Sequence, residues 1–413
     1  MMKRKLLLVG DYNRNDFIYV AKLLAKEVEF YFIEFLNNKD LKNNDCLQYG
    51  KVIYWKDYKS AYDLLEKLKP EKVLFYFIES FNHVALNVAC KVNQITTYHL
   101  EHGLRFSLAY YELANNSVSV EKQNVSFIIR LNNIANSIDK FKNRQFYKNT
   151  ILKSPKKERL FLEKYFDIRS CNSIFHTFKV LKNNLRLPDQ YISFSPIIFN
   201  YHKELEELPD SYSVNFIGIP QFDEFVKWKY LKNTGSNILF IDQPLHEQPI
   251  YGWSKEGKID FLQSLSNCVT SLGRKLFIKP HPLNDISIYN SVKENSMVEL
   301  IHSEWDNVVT DINTVLGFSS TLLLPFMGMD HICCFTWEQH PVMIDEPYSQ
   351  FLINSNACKA VFNFDELKLN IQNRIQWYTL QKSNKDQFIK KYMYKFDGKS
   401  SDRLKNILLS DAS

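Results

Sequence analysis

The chain has 413 residues, enough for two or three domains of roughly 150 residues each, and its 45% apolar and 15% aromatic content supplies ample core. Lys and Arg number 52 against 46 Asp and Glu, a formal charge of +6 spread over the whole length, which is too weak for a dedicated nucleic-acid binder. Glycine (11) and proline (13) are scarce while Phe (31) and Tyr (23) abound, so collagen-like and low-complexity classes are excluded and a soluble, globular, multi-domain protein is expected.

The start, Met1-Met2-Lys3-Arg4-Lys5 followed by a short apolar run, breaks at Gly10-Asp11 without a small-residue cleavage site. It reads as a buried first strand rather than a signal peptide. No stretch approaches the ~20 apolar residues of a membrane-spanning helix, so membrane contact is expected to be peripheral. Seven scattered cysteines without a C-x-x-C pair fit a reducing cytoplasm.

Along the first half, short apolar runs at 6–9, 29–35, 52–55, 73–78 and 95–100 alternate with helically spaced segments at 16–26, 61–69 and 81–92. Strand and helix in alternation imply a parallel sheet covered on both faces, and continuously apolar strands such as Val73-Leu74-Phe75-Tyr76-Phe77-Ile78 are what such a sheet requires. The window 140–159 is the most basic in the chain, with Lys140, Lys142, Arg144, Lys148, Lys153, Lys156, Lys157 and Arg159. It suits a solvated helical face, or attraction to anionic lipid or an acidic glycan. After the turn-like Leu208-Pro209-Asp210, a second alternating series predicts strands at 214–219, 237–242, 275–279, 308–310 and 331–335, with the clearest helix at 255–272. Two Rossmann-like domains facing across a cleft are expected, with ligands beyond the carboxyl ends of the strands.

Four segments lie at those predicted ends. His99-Leu100-Glu101-His102-Gly103-Leu104-Arg105 offers a carboxylate and an imidazole that could accept a proton from a hydroxyl, or a surface turn in which Glu101 and Arg105 pair. Lys279-Pro280-His281-Pro282 brackets a histidine with prolines and sets a cation beside it, which suits a departing phosphate, or holds a purely structural histidine. Gly317-Phe318-Ser319-Ser320-Thr321 precedes an apolar helical turn, so that Ser319 or Ser320 would be an N-cap, alone or as part of an anion site. Gly218-Ile219-Pro220, with Gly218 allowing close backbone approach, leads into the second domain, and Asp242 closes an apolar strand where it could bond a sugar or act as a nucleophile.

Together, Glu101-x-Gly103, Gly218-x-Pro220-x-x-Asp223, Lys279-Pro280-His281-Pro282 and Ser319-Ser320 resemble bacterial GT-B glycosyltransferases that use CMP-activated 2-keto-3-deoxy sugar acids, the sialyltransferases and Kdo transferases. The resemblance spans about residues 95 to 335. It implies that Glu101 is the base, that His281 assists departure of CMP, and that Ser319 and Ser320 hold its phosphate, with Lys279, Pro282, Gly317, Thr321 and Gly218 around the donor and Arg105 near the acceptor. His102 stands where the family usually has a second acid, so the base is Glu101 or is shared with His102. A retaining enzyme would need a nucleophile, for which Asp242 is the candidate.

The implied domains are 1–205 for the acceptor, 206–380 for the nucleotide sugar and a tail, 381–413, crossing back to the first. The implied partners are a CMP-sugar and a glycan or glycolipid of the bacterial surface, such as lipooligosaccharide, O-antigen or capsule, with no nucleic acid. Cytoplasmic location is expected, with peripheral contact to the inner membrane through 140–159. No Asp-x-Asp triplet occurs, so metal-independent action without a cofactor is expected. Sialic acid is preferred to Kdo as the donor sugar. The other readings are a CDP-glycerol polyol-phosphate transferase, a UDP-sugar epimerase, or a non-catalytic glycan-binding assembly protein.

Overall fold

The computed structural model describes residues 3–103, 137–232, 235–247, 251–303, 305–342 and 349–410. The chain forms two compact units, Met1–Ile217 with Ser400–Ser413, and Gly218–Lys399.

The first unit is built on strands β1 (Arg4–Val9), β2 (Val28–Ile33), β3 (Gly50–Val52), β4 (Lys72–Phe75), β5 (Thr96–Leu100), β6 (Gln190–Ser193) and β7 (Val214–Phe216). They lie in the order β3-β2-β1-β4-β5-β6-β7 and pair in parallel throughout. Leu6, Leu7, Leu8 and Val9 are buried on both faces of β1, the burial that makes a parallel strand read as an unbroken apolar run. Helices begin where serine oxygens accept first-turn amides: Ser60 from Asp63 and Ser80 from His83, each at 3.2 Å.

The second unit repeats the plan with β8 (Asn237–Ile241), β9 (Leu276–Lys279), β10 (Val298–Leu300), β11 (Ile312–Gly317), β12 (Cys333–Trp337) and β13 (Lys359–Val361). The order is β10-β9-β8-β11-β12-β13, again parallel. In both sheets the chain leaves the first strand to one side, then returns to build the other side. That is the Rossmann arrangement, with a switch point between β1 and β4 in one unit and between β8 and β11 in the other.

Two sequence expectations are corrected. The segment 214–219, read as opening the second series, supplies β7 to the first sheet through pairing with β6. The Leu208-Pro209-Asp210 cluster is thus a turn inside the first unit, and the chain passes to the second at Gly218, whose φ of 82° favours glycine. The segment 308–310, read as a strand, overlaps the helix Trp305–Val309, and the strand follows it as β11.

The tail divides. The helix Arg374–Phe388 belongs to the second unit, where Gln381 exchanges 2.8 Å hydrogen bonds with the backbone of Cys334. The helix Ser400–Leu409 belongs to the first. There the buried Lys72 ammonium donates to the carbonyls of Ile407, Leu408 and Ser410 at 3.0, 3.0 and 2.7 Å, placing a cation on the negative end of the helix. Among the described residues no helix is long and apolar enough to cross a membrane.

Candidate active site

Each unit carries its own cluster. In the first, Glu101 directly follows β5 and extends the pairing by donating its amide to Ile192 O at 2.9 Å. Its side chain is 1% exposed. One carboxylate oxygen accepts the His102 amide at 3.0 Å, and the other lies 2.9 Å from His202 Nε2. His202 comes from the helix Pro196–Glu206, which Pro196 opens at its first turn. A carboxylate shut away from water and bonded to an imidazole is the arrangement that orients a base and stores a proton.

His102 takes a different position. Its ring stands edge-on to Phe17 and Phe77 at 5.0 and 4.7 Å, and Nδ1 is 3.7 Å from Glu101. The imidazole in direct hydrogen-bond contact with Glu101 is therefore His202.

Beside this couple lies a cavity of 640 Å³ whose walls include His99, Arg169, Arg186, Tyr191, Tyr201 and His202. Aromatic faces with hydrogen-bonding groups between them are suited to a sugar, which is apolar on its C–H faces and polar at its rim. Arg186 is buried, lies 3.8 Å over the Phe178 ring and pairs with Glu206. Its Nε has no hydrogen-bond partner among the described residues.

In the second unit, Lys279, Ile241 and Gly317 stand in one row across β9, β8 and β11, so the groups that follow them share the carboxyl edge at the switch point. Pro280 is buried, and the His281 amide donates to Asn284 Oδ1 at 2.6 Å. Leu283 N–H donates to His281 Nδ1 at 3.2 Å, which puts the proton of the neutral ring on Nε2 and makes that atom a donor. Lys279 Nζ donates to Pro280 O at 3.3 Å. Ser320 Oγ accepts the Leu322 amide at 3.3 Å, whereas Ser319 Oγ is sealed from solvent with no hydrogen-bond partner among the described residues. Such an orphan is the group a ligand oxygen would satisfy.

The N-cap expectation is corrected: the helix is Leu323–Met327, its cap position is Leu322, and no side chain caps it. Thr321 precedes that position, half-buried, and Pro282 is exposed. A Cβ on Gly317 would meet Ile241 O at 3.2 Å and Leu323 Cδ2 at 3.1 Å, so close packing accounts for this glycine.

Asp242 is 1% exposed and accepts from Tyr289 Oη at 2.6 Å, from the Gln243 amide at 2.7 Å and from the fully buried Lys258. The Lys258 ammonium lies 4.3 Å from the Phe318 ring centre, with Trp253 and Phe261 at 5.6 Å. Burial holds its pKa down against the pull of Asp242. Asp242 thus stands as the counter-ion of a buried cation beneath the Ser319 loop. Arg105 lies outside the described residues.

The family profile of the alpha-2,8-polysialyltransferases (POLYST) matches residues 6–337, which include Glu101, His281, Ser319 and Ser320. The chain belongs to this family. It is a glycosyltransferase. No curated protein matches it in sequence. Among solved structures it is similar to the calicheamicin glycosyltransferase CalG4, with a TM-score of 0.50 at 10% identity over 100% of both chains. It is also similar to the wall teichoic acid polymerase TagF, with a TM-score of 0.50 at 12% identity over 98% of this chain and 88% of that one. At such identities the likeness shows the fold, the GT-B architecture of two Rossmann-like domains.

For this polysialyltransferase-family chain, sequence reasoning missed His202. It lies 101 positions from Glu101, inside an amphipathic helix where a histidine carries no local signal.

Proposed function

We propose that the chain transfers sialic acid, or a related 2-keto-3-deoxy sugar acid, from its CMP-activated form to a hydroxyl of a bacterial surface glycan. The observation that carries this reading is the buried Glu101 carboxylate bonded to His202 beside the 640 Å³ cavity, within a chain whose family is named for sialyl transfer. The acceptor sugar enters that cavity. Its hydroxyl oxygen attacks the anomeric carbon of the donor while the bond from that carbon to the CMP phosphate oxygen breaks. The hydroxyl proton passes to Glu101, directly or through His202.

The phosphate of CMP is met by Ser319 Oγ, the Lys279 ammonium and the His281 Nε2–H, which stabilise the charge that develops as CMP leaves. One phosphate needs little more than these donors, so the reaction is proposed to run without a metal. The nucleotide dependence is tested by thermal shift with CMP, CDP, UDP and GDP. A ligand that binds only the folded chain raises its unfolding temperature. Selective stabilisation by CMP is the expected result, and equal or greater stabilisation by UDP or GDP would remove the donor assignment.

A further inference from the structure

Between residues 142 and 164 the first unit carries eight cations against two acids, Glu158 and Glu163, an excess equal to the formal +6 of the entire chain. The segment folds as two helices, Ser137–Lys153 and Lys156–Cys171, joined at Ser154 and Pro155. Their inner faces bury Phe146, Tyr147, Phe161, Leu162 and Tyr165 in the core. The outer faces follow from helical spacing. Arg144, Lys148 and Leu152 are four apart on the first helix, and Lys156, Leu160 and Lys164 are four apart on the second.

All six of these residues are exposed, the leucines by 67% (Leu152) and 58% (Leu160). The corner between the helices is tied by Arg159 Nη2, which donates to Leu152 O at 2.7 Å, and by Ser154 Oγ, which donates to Thr150 O at 2.7 Å. The stripes are therefore held by structure on either side of a fixed turn.

We infer that this two-helix corner is a docking surface for an anionic lipid bilayer, with Leu152 and Leu160 entering the headgroup boundary and the surrounding lysines and arginine meeting lipid phosphates. Charge complementarity alone would suit any polyanion. The leucines decide between them, because a polyacidic glycan has no apolar layer in which to bury them, whereas a bilayer does. Anionic lipid attracts each basic side chain near its surface strongly enough to tighten binding roughly fivefold per cation.

The test is co-sedimentation of the full chain with phosphatidylcholine vesicles, with and without phosphatidylglycerol, across a salt series. Binding is expected only to the anionic vesicles and is expected to weaken with salt. The triple variant Lys153→Glu, Lys156→Glu, Lys157→Glu is expected to bind at least about a hundredfold more weakly. The double variant Leu152→Ser, Leu160→Ser is expected to lose roughly tenfold even at low salt, with unchanged circular dichroism and melting. Failure to bind anionic vesicles would overturn the inference. So would leucine substitutions that leave vesicle binding untouched while the lysine substitutions abolish retention on a soluble polyanion, which would make the face a polyanion site.

Discussion

At Asp242 the decisive fact is what surrounds it. Its carboxylate offsets Lys258, whose ammonium is 0% exposed among aromatic rings. Removing one partner of a buried pair leaves the other charge uncompensated, a loss of about 3–5 kcal/mol. Asp242→Ala is therefore expected to lower folding stability by that amount in chemical denaturation. A variant of wild-type stability that has lost turnover would instead place the carboxylate in the chemistry. The His202 contact shows how little of such an environment a sequence carries. Glu101 stood out because it follows a strand and precedes a glycine, but its partner arrives from a helix a hundred positions later. Likewise Lys258 reads as one more lysine on an amphipathic helix, and only the packing of Phe318, Trp253 and Phe261 around it reveals the cage.

The elements fared according to how strongly burial marks them. Strands β1 and β4 and the helix Phe81–Val92 were legible because both faces or one whole stripe are apolar. The strand Gln190–Ser193 was not, since it is only four residues long, two of them are polar, and Tyr191 faces a cavity. Val308-Val309 misled because β-branched residues favour strands, yet here they end a five-residue helix that leads into β11. The C-terminal helix Ser400–Leu409 is fixed to the first unit by a residue no local pattern could link to it, Lys72. Charged hydrogen bonds of this kind contribute about 1.5–3 kcal/mol each. Lys72→Met is expected to loosen the helix, raising amide exchange at 400–409 at least tenfold while exchange in β8 to β13 is unchanged. Undiminished protection of that helix would contradict the role given to Lys72.

For the molecule as a whole, acid sensitivity is expected to arise in the second unit. Burial, with Lys258 nearby, holds His340 down to about 3, and burial, with Lys385 nearby, holds His331 down to about 4. In the unfolded chain both titrate near 6.5. Because their folded values are depressed, their contribution to stability is complete above about pH 6.5 and is lost progressively as the pH falls toward those values. His340 also accepts the Trp253 indole N–H on Nδ1 at 3.0 Å, a bond its protonation would break. Melting temperature is expected to fall between pH 6.5 and 4.5, above the range where most carboxylates titrate, and His340→Gln is expected to flatten that slope. An identical slope in the variant would show that His340 does not set the acid sensitivity.

The proposed CMP-dependent transfer requires both the Glu101 couple of the first unit and the His281 and Ser319 cluster of the second. Its most direct test is acceptor-dependent release of CMP from a CMP-sugar by the wild-type chain and by folded Glu101→Gln, His202→Asn and His281→Ala variants. Release only when acceptor is present is predicted, with turnover reduced about 10²–10⁴-fold in Glu101→Gln and His281→Ala and melting temperatures preserved. Full turnover in both of those variants, or CMP release indifferent to acceptor, would contradict it.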